Sequence, residues 1–66
     1  MTTFLMSSSD RMYEAQRRLS RAGFLAGKGQ ARLGERGVVL SVHHDDDQAD
    51  EVRRIVLAAD GTAKAR

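Results

Sequence analysis

The stretch Val38-Val39-Leu40-Ser41-Val42-His43, followed by His44-Asp45-Asp46-Asp47 and then by Ala49, Val52, Ile55, Val56 and Ala59, decides the fold of this chain. Its first six residues alternate. Val38, Leu40 and Val42 make one apolar face and Val39, Ser41 and His43 the other, the period of two that defines a strand. Asp47 lies three residues before Asp50 and four before Glu51, which predicts a capping side chain and negative charge in the first turn of a helix. Ala49, Val52, Val56 and Ala59 then recur at helical spacing, with Ile55 widening the stripe, and Asp60-Gly61 closes the helix. Strand, acidic turn and amphipathic helix follow one another without a gap.

Working back toward the N-terminus, Gly34-Glu35-Arg36-Gly37 reads as a hairpin loop with glycine available wherever φ must be positive. Before it, Leu25 to Leu33 again alternates, with Leu25, Gly27, Gly29, Ala31 and Leu33 on one face and Ala26, Lys28, Gln30 and Arg32 on the other. Gly27 and Gly29 predict a bulge or the close approach of a helix backbone. Gly23 is a helix stop. The helix it ends carries Met12, Ala15, Leu19 and Ala22 on one face and is preceded by the N-cap candidates Ser7-Ser8-Ser9-Asp10. Thr2 to Ser7 is a short first strand, and Thr62 to Arg66 is either a last short strand or a frayed end. A shift of 37 residues lays Glu14 on Glu51, Ala15 on Val52, Leu19 on Val56, Ala22 on Ala59 and Leu5 on Val42. Internal duplication and shared amphipathic patterning both produce that agreement.

The order is βαββα with a possible final β, the split βαβ arrangement of ferredoxin-like sandwiches. The expected fold is therefore α+β, an antiparallel sheet with both helices on one face, in a single domain spanning residues 1–66. Met12, Leu19, Val52, Ile55 and Val56 are expected to pack onto Val38, Leu40, Val42, Leu25 and Leu33. The opposite face is expected to lie open and to carry Lys28, Gln30, Arg32, Val39, Ser41 and His43 together with Phe4 and Met6. An uncovered face that mixes Phe, Met and Val with basic residues is a candidate contact surface. A weak final strand would also leave the first strand as an exposed edge.

Size sharpens that expectation. A chain of 66 residues buries only about 60% of the surface its unfolded form exposes. It has no Cys for a disulfide and no Pro, and its aromatic residues are only Phe4, Tyr13 and Phe24. Small domains without staples commonly gain stability by association. The formal charge is +2, but residues 1–36 hold seven Lys/Arg against three acids, and residues 37–66 hold four against six. No apolar run approaches the ~20 residues of a membrane span, and Phe4-Leu5-Met6 is too short for a signal peptide and has no basic residue before it, so a cytoplasmic location and no membrane partner are expected.

The densest polar cluster is His43-His44-Asp45-Asp46-Asp47 with Asp50 and Glu51. His43, His44, Asp45 and Asp47 are the candidate ligands for a divalent metal. Neighbouring strand residues point to opposite faces, however, and the EF-hand spacing is absent. Solvated acids capping a helix explain the same residues. Ser41 and His43 share a face but lack a third group or an oxyanion donor, so no catalytic residues are expected and the chain does not read as an enzyme. Gly27-Lys28-Gly29 lacks the context of a phosphate-binding loop, and no cofactor is expected. Arg17, Arg18 and Arg21 on the first helix, with Arg53 and Arg54 on the second, offer contacts to phosphate. Sheet-based RNA binders, though, stack bases on central-strand aromatics that the third strand does not have.

The segment from Gly37 through Val56 resembles small bacterial domains of the general-stress-protein type: a strand, acids, a helix with paired basic residues, then a glycine. Tyr13-Glu14-Ala15-Gln16-Arg17-Arg18-Leu19-Ser20-Arg21-Ala22-Gly23-Phe24 is similar to the helix-then-Gly-Phe segment of those domains, of ACT-like regulatory domains and of SPOR-like domains. The loop after the first strand lacks the glycine by which ACT-like domains often accommodate an amino acid, and SPOR-like domains act on exported peptidoglycan. The resemblance implies a ferredoxin-like regulatory or stress-response module and assigns no functional residue. The resulting expectation is an interaction module whose partner is a protein, in a homo-oligomer or a larger complex, contacted through Phe4, Met6, Lys28, Arg32, Val39, Ser41 and His43. Nucleic-acid binding through the helix arginines is the first alternative, and metal binding by the His/Asp cluster the second.

Overall fold

In the structure, a computed structural model describing all 66 residues, the elements are β1 (Thr2–Met6), α1 (Ser9–Arg21), β2 (Leu25–Lys28), β3 (Val38–His43), α2 (Ala49–Ala59) and β4 (Lys64–Ala65). The strands form one antiparallel sheet in the order β2-β3-β1-β4. The α+β, ferredoxin-like arrangement expected from the sequence is present, with α1 and α2 packed on the same sheet face.

The helix ends follow from their sequences. Ser8 caps α1, its Oγ accepting the Arg11 N–H at 3.3 Å. At the other end Gly23 takes φ +92°. The Phe24 N–H then reaches back to the Leu19 carbonyl at 2.9 Å and the Gly23 N–H to Ser20 at 3.0 Å. This pair of bonds is a Schellman stop, and it turns the aromatic ring of Phe24 into the core. The second helix begins differently from the expectation centred on Asp47. A 3-10 turn at Asp46–Gln48 precedes it. The Asp45 N–H donates to Gln48 Oε1 at 3.0 Å while the Gln48 N–H donates to the Asp45 carbonyl at 2.9 Å. The start is therefore organised two residues earlier, by Asp45 and Gln48, and Asp47 stays exposed.

The core joins Met12, Ala15 and Leu19 of α1 and Val52, Val56 and Ala59 of α2 to Phe4, Met6, Leu40 and Val42 of the sheet, with Phe24 and Ala63 at its margins. Phe4 and Met6 are each 1% exposed, which corrects their expected place on the opposite face. Both faces of Thr2–Met6 carry an apolar residue, and the two larger side chains, Phe4 and Met6, take the helix side opposite Leu40 and Val38. Leu5 turns the other way. The parity of β2 is corrected too. Phe24, pulled inward by the Schellman stop, sets the even positions toward the helices, so Ala26 packs on the core and Leu25 points outward. The strand ends at Lys28, and Leu33 is fully exposed in the following loop. The 37-residue repeat holds for the helices, where Leu19 and Val56 are both buried. It fails in the strands, where Val42 faces the helices and Leu5 does not.

The face opposite the helices is covered around Val39 and Ser41 and open toward β2, where Leu25 and His43 are exposed. Residues 29–37 fold back over the covered part. The Gly29 N–H donates to the Val39 carbonyl at 2.8 Å, and a Cβ on Gly29 would lie 2.8 Å from Val39 Cγ1 and 2.9 Å from Ser41 Oγ. The loop backbone rests directly on those side chains. Arg66 holds it down, donating to the Gln30 carbonyl at 3.2 Å and pairing with Glu35 at 3.1 Å. Glu35 in turn accepts the Arg32 N–H at 2.9 Å. Val39 is accordingly only 2% exposed. The same C-terminal segment corrects the expected free edge, because β4 pairs with Phe4 and Leu5 and the Arg66 N–H adds a bond to the Thr3 carbonyl at 2.7 Å. The first strand is an interior strand.

Candidate functional site

The seven residues expected on a contact surface are scattered by this fold. Phe4 and Met6 belong to the core, Val39 lies beneath the loop and Ser41 is half-buried beside it. Arg32 is exposed within the loop. Lys28 and His43 remain exposed at opposite ends of the β2–β3 pair. What they flank is the outer edge of β2.

That edge is open on one side of the sheet. The Gly29–Val39 bond makes the odd residues of the strand the ones hydrogen-bonded to β3, so the N–H and C=O of Ala26 and Lys28 point away from the sheet. Gln16 of α1 reaches one of these groups, its Nε2 donating to the Ala26 carbonyl at 3.0 Å. Leu25 stands on the same strand 73% exposed, directly across from His43. It forms the ridge between two hollows. One is lined by Met1, Phe24, His43, His44 and Gln48, the other by Tyr13, Gln16, Arg17 and Ser20 of α1 with Phe24. Met1 and Tyr13, both largely exposed, extend the apolar surface on either side of Leu25. The expected site therefore moves from the sheet face to the β2 edge. Leu25 and Tyr13 were not expected there, and the signal that marks them is Phe24: an aromatic just after a helix-stop glycine faces the core, which turns its neighbour Leu25 outward.

The polar cluster is divided by its geometry. The Asp45 carbonyl can only accept, so the His44 Nδ1 at 2.7 Å donates to it, and Nε2 at 2.6 Å accepts from the Thr2 hydroxyl. His44 thus ties β1 to the turn after β3. His43, Asp45 and Asp47 are exposed, and no three His, Asp or Glu side chains converge on a point that would hold a metal ion.

Among the basic residues, Arg17 and Arg18 pair with Glu14, and Arg11 donates to the Ala59 carbonyl at 3.3 Å. The Glu14 carboxyl is held below its usual range by the hydrogen bond from Arg17, which together with the charges of Arg17 and Arg18 outweighs its desolvation. Arg21, Arg53 and Arg54 are exposed and make no ion pair.

Asp60 is the one buried charged side chain. It accepts from the Ser7 N–H at 2.8 Å, the Ser7 hydroxyl at 2.7 Å, the Thr62 N–H at 3.0 Å and the Thr62 hydroxyl at 2.7 Å. Burial alone would raise its pKa, but the four donors reverse that and hold the carboxyl far below the ordinary range. The group is structural, joining the end of β1 to the exit of α2.

A comparison with known proteins finds no matching family model, no matching curated protein and no matching solved structure.

Proposed function

We propose that this chain is a small interaction module of the cytoplasm that docks a protein partner along the β2 edge, either as a subunit of a homo-oligomer or as an accessory subunit of a larger complex. One observation carries the reading: Leu25, 73% exposed, lies on a strand edge with outward-facing backbone groups and between two hollows. A free strand edge offers main-chain hydrogen bonds to an added strand, and the side chains beside it supply selectivity. Burying Leu25 on a partner adds about 1.5–3 kcal/mol, and Tyr13 and Met1 enlarge the patch. The sheet face around Val39 and Ser41 does not offer this, because the 29–37 loop lies over it.

Photo-crosslinking tests the reading. A benzophenone amino acid at position 25 is expected to give one adduct of defined mass in cells producing the protein, and the same group at Arg54 on the exposed side of α2 is expected to give none. Adducts at position 54 and none at position 25 would refute the assignment of the surface.

A further inference from the structure

Gly27 has no role inside the chain that calls for glycine. A Cβ on Gly29 or Gly37 would collide with Val39 or with the Met6 carbonyl, but one on Gly27 would meet nothing within 4 Å, and its φ is not positive. Glycine within a strand weakens it and marks places where another backbone or a ligand comes close. Nothing in this molecule comes close, and the residue sits on the free edge.

We infer that the approaching group belongs to a second copy of this chain, paired β2 to β2 antiparallel about a two-fold axis at Ala26, so that Leu25 of each copy lies opposite Gly27 of the other. The inference rests on the interaction reading above and names its partner. Because Ala26 and Lys28 carry the outward backbone groups, an added antiparallel strand must pair with them, and a two-fold axis then falls at Ala26, at Gly27 or at Lys28. The first places the exposed Leu25 across from Gly27, where the space a side chain would take is empty; an axis at Gly27 sets it across from Gly29, where Val39 and Ser41 already fill that space, and an axis at Lys28 sets it across from Ala31. Leu25 and Gly27 are then knob and recess for one another, the self-complementarity an isologous contact requires. Charge selects the same register. With the axis at Ala26 the two Lys28 residues lie about 13 Å apart along the strands, beyond the Debye length of ~8 Å, whereas an axis at Gly27 or Lys28 brings them closer. The Ala26 carbonyl has a second lone pair beside the one Gln16 uses, so it accepts the partner's Ala26 N–H without losing that bond.

The contact is small. Two four-residue strands with the flanking Leu25 and Tyr13 cover roughly 500 Å² per copy, below the ~800 Å² of a standard stable interface, which makes the dimer weak. The test is sedimentation equilibrium from about 10 μM to about 1 mM, on the wild type and on Gly27→Val, together with the position-25 crosslink. A Val at position 27 meets no atom of its own chain and suits a strand, so the variant is expected to melt no lower than the wild type. In the pair it would face Leu25. The expected result is a reversible monomer–dimer equilibrium that Gly27→Val weakens at least about tenfold, with a crosslinked species of twice the chain mass. A wild type that stays monomeric at the highest concentration, or a Gly27→Val variant that dimerises equally, overturns the pairing. A position-25 adduct to a different protein overturns it while sustaining the interaction reading, and no adduct of either kind overturns both.

Discussion

Replacing Asp60 by Asn keeps the shape of the side chain and removes its charge, and the structure gives the consequence a magnitude. Asp60 is 4% exposed and accepts four hydrogen bonds, two from backbone N–H groups and two from hydroxyls. An Asn amide presents one oxygen, which serves Ser7 or Thr62 but not both. Its NH2 can donate to the hydroxyl on the other side, but the backbone N–H there loses its acceptor. An orphaned buried N–H costs about 1–3 kcal/mol, and the surviving bonds lose their charge assistance, so Asp60→Asn is expected to destabilise the domain by about 2–3 kcal/mol. For a domain of this length that lowers Tm by roughly 10–20 °C, which circular dichroism during heating or in urea would read.

The pH dependence makes the test specific. The Asp60 pKa is depressed in the folded state relative to an unfolded value of about 3.9, so the folded chain binds fewer protons than the unfolded one as the pH falls. Its contribution is therefore complete above about pH 5 and drains away as the pH falls through 4 toward the folded-state value. The gap between wild type and Asp60→Asn should be constant at neutral pH and shrink below pH ~4. Glu14, whose pKa is also lowered, adds to the acid sensitivity of both proteins and cancels in the difference. A variant within about 0.5 kcal/mol of wild type at pH 7, or a gap that does not narrow in acid, would refute the reasoning.

Two further outcomes follow from the loop over the sheet. Arg66→Ala removes the tie to Gln30 and Glu35, and is expected to cost about 1 kcal/mol and to speed tryptic cleavage after Arg32 and Arg36 several-fold, as gel or mass analysis would detect; unchanged cleavage would mean the loop is held by something else. Gly37→Ala forces a Cβ into a residue at φ +109° and within 2.6 Å of the Met6 carbonyl, so a loss of about 2 kcal/mol or more is expected in urea denaturation, against no loss for Gly27→Ala.

The helices and the third strand were legible because each has one unambiguous apolar stripe: Met12, Ala15 and Leu19; Val52, Val56 and Ala59; Leu40 and Val42. The first strand was not, since Phe4, Leu5 and Met6 in succession are apolar whichever face is counted, and only packing volume decides that Phe4 and Met6 go inward. In the second, Leu25 and Leu33 suggested a nine-residue strand by alternation alone, while the Schellman turn at Gly23–Phe24 had already fixed the opposite parity. The covering of the sheet depends on Arg66 meeting Gln30 and Glu35, a long-range contact that no local pattern encodes. The candidate site moved for the same reason. With Val39 and Ser41 covered by the chain's own loop, the exposed apolar surface that remains beside the sheet is the edge where Leu25 and Gly27 sit, and the proposed docking site lies there.

That claim is tested most directly by amide hydrogen exchange at Ala26 and Lys28, whose N–H groups point away from the sheet. In dilute protein both are expected to exchange much faster than their neighbours Gly27 and Gly29, and both should become protected as the concentration rises into the range of about 1 mM, where a weak pairing of edges is populated. Exchange at these two amides that is independent of concentration, or protection that arises elsewhere in the chain, would contradict the account.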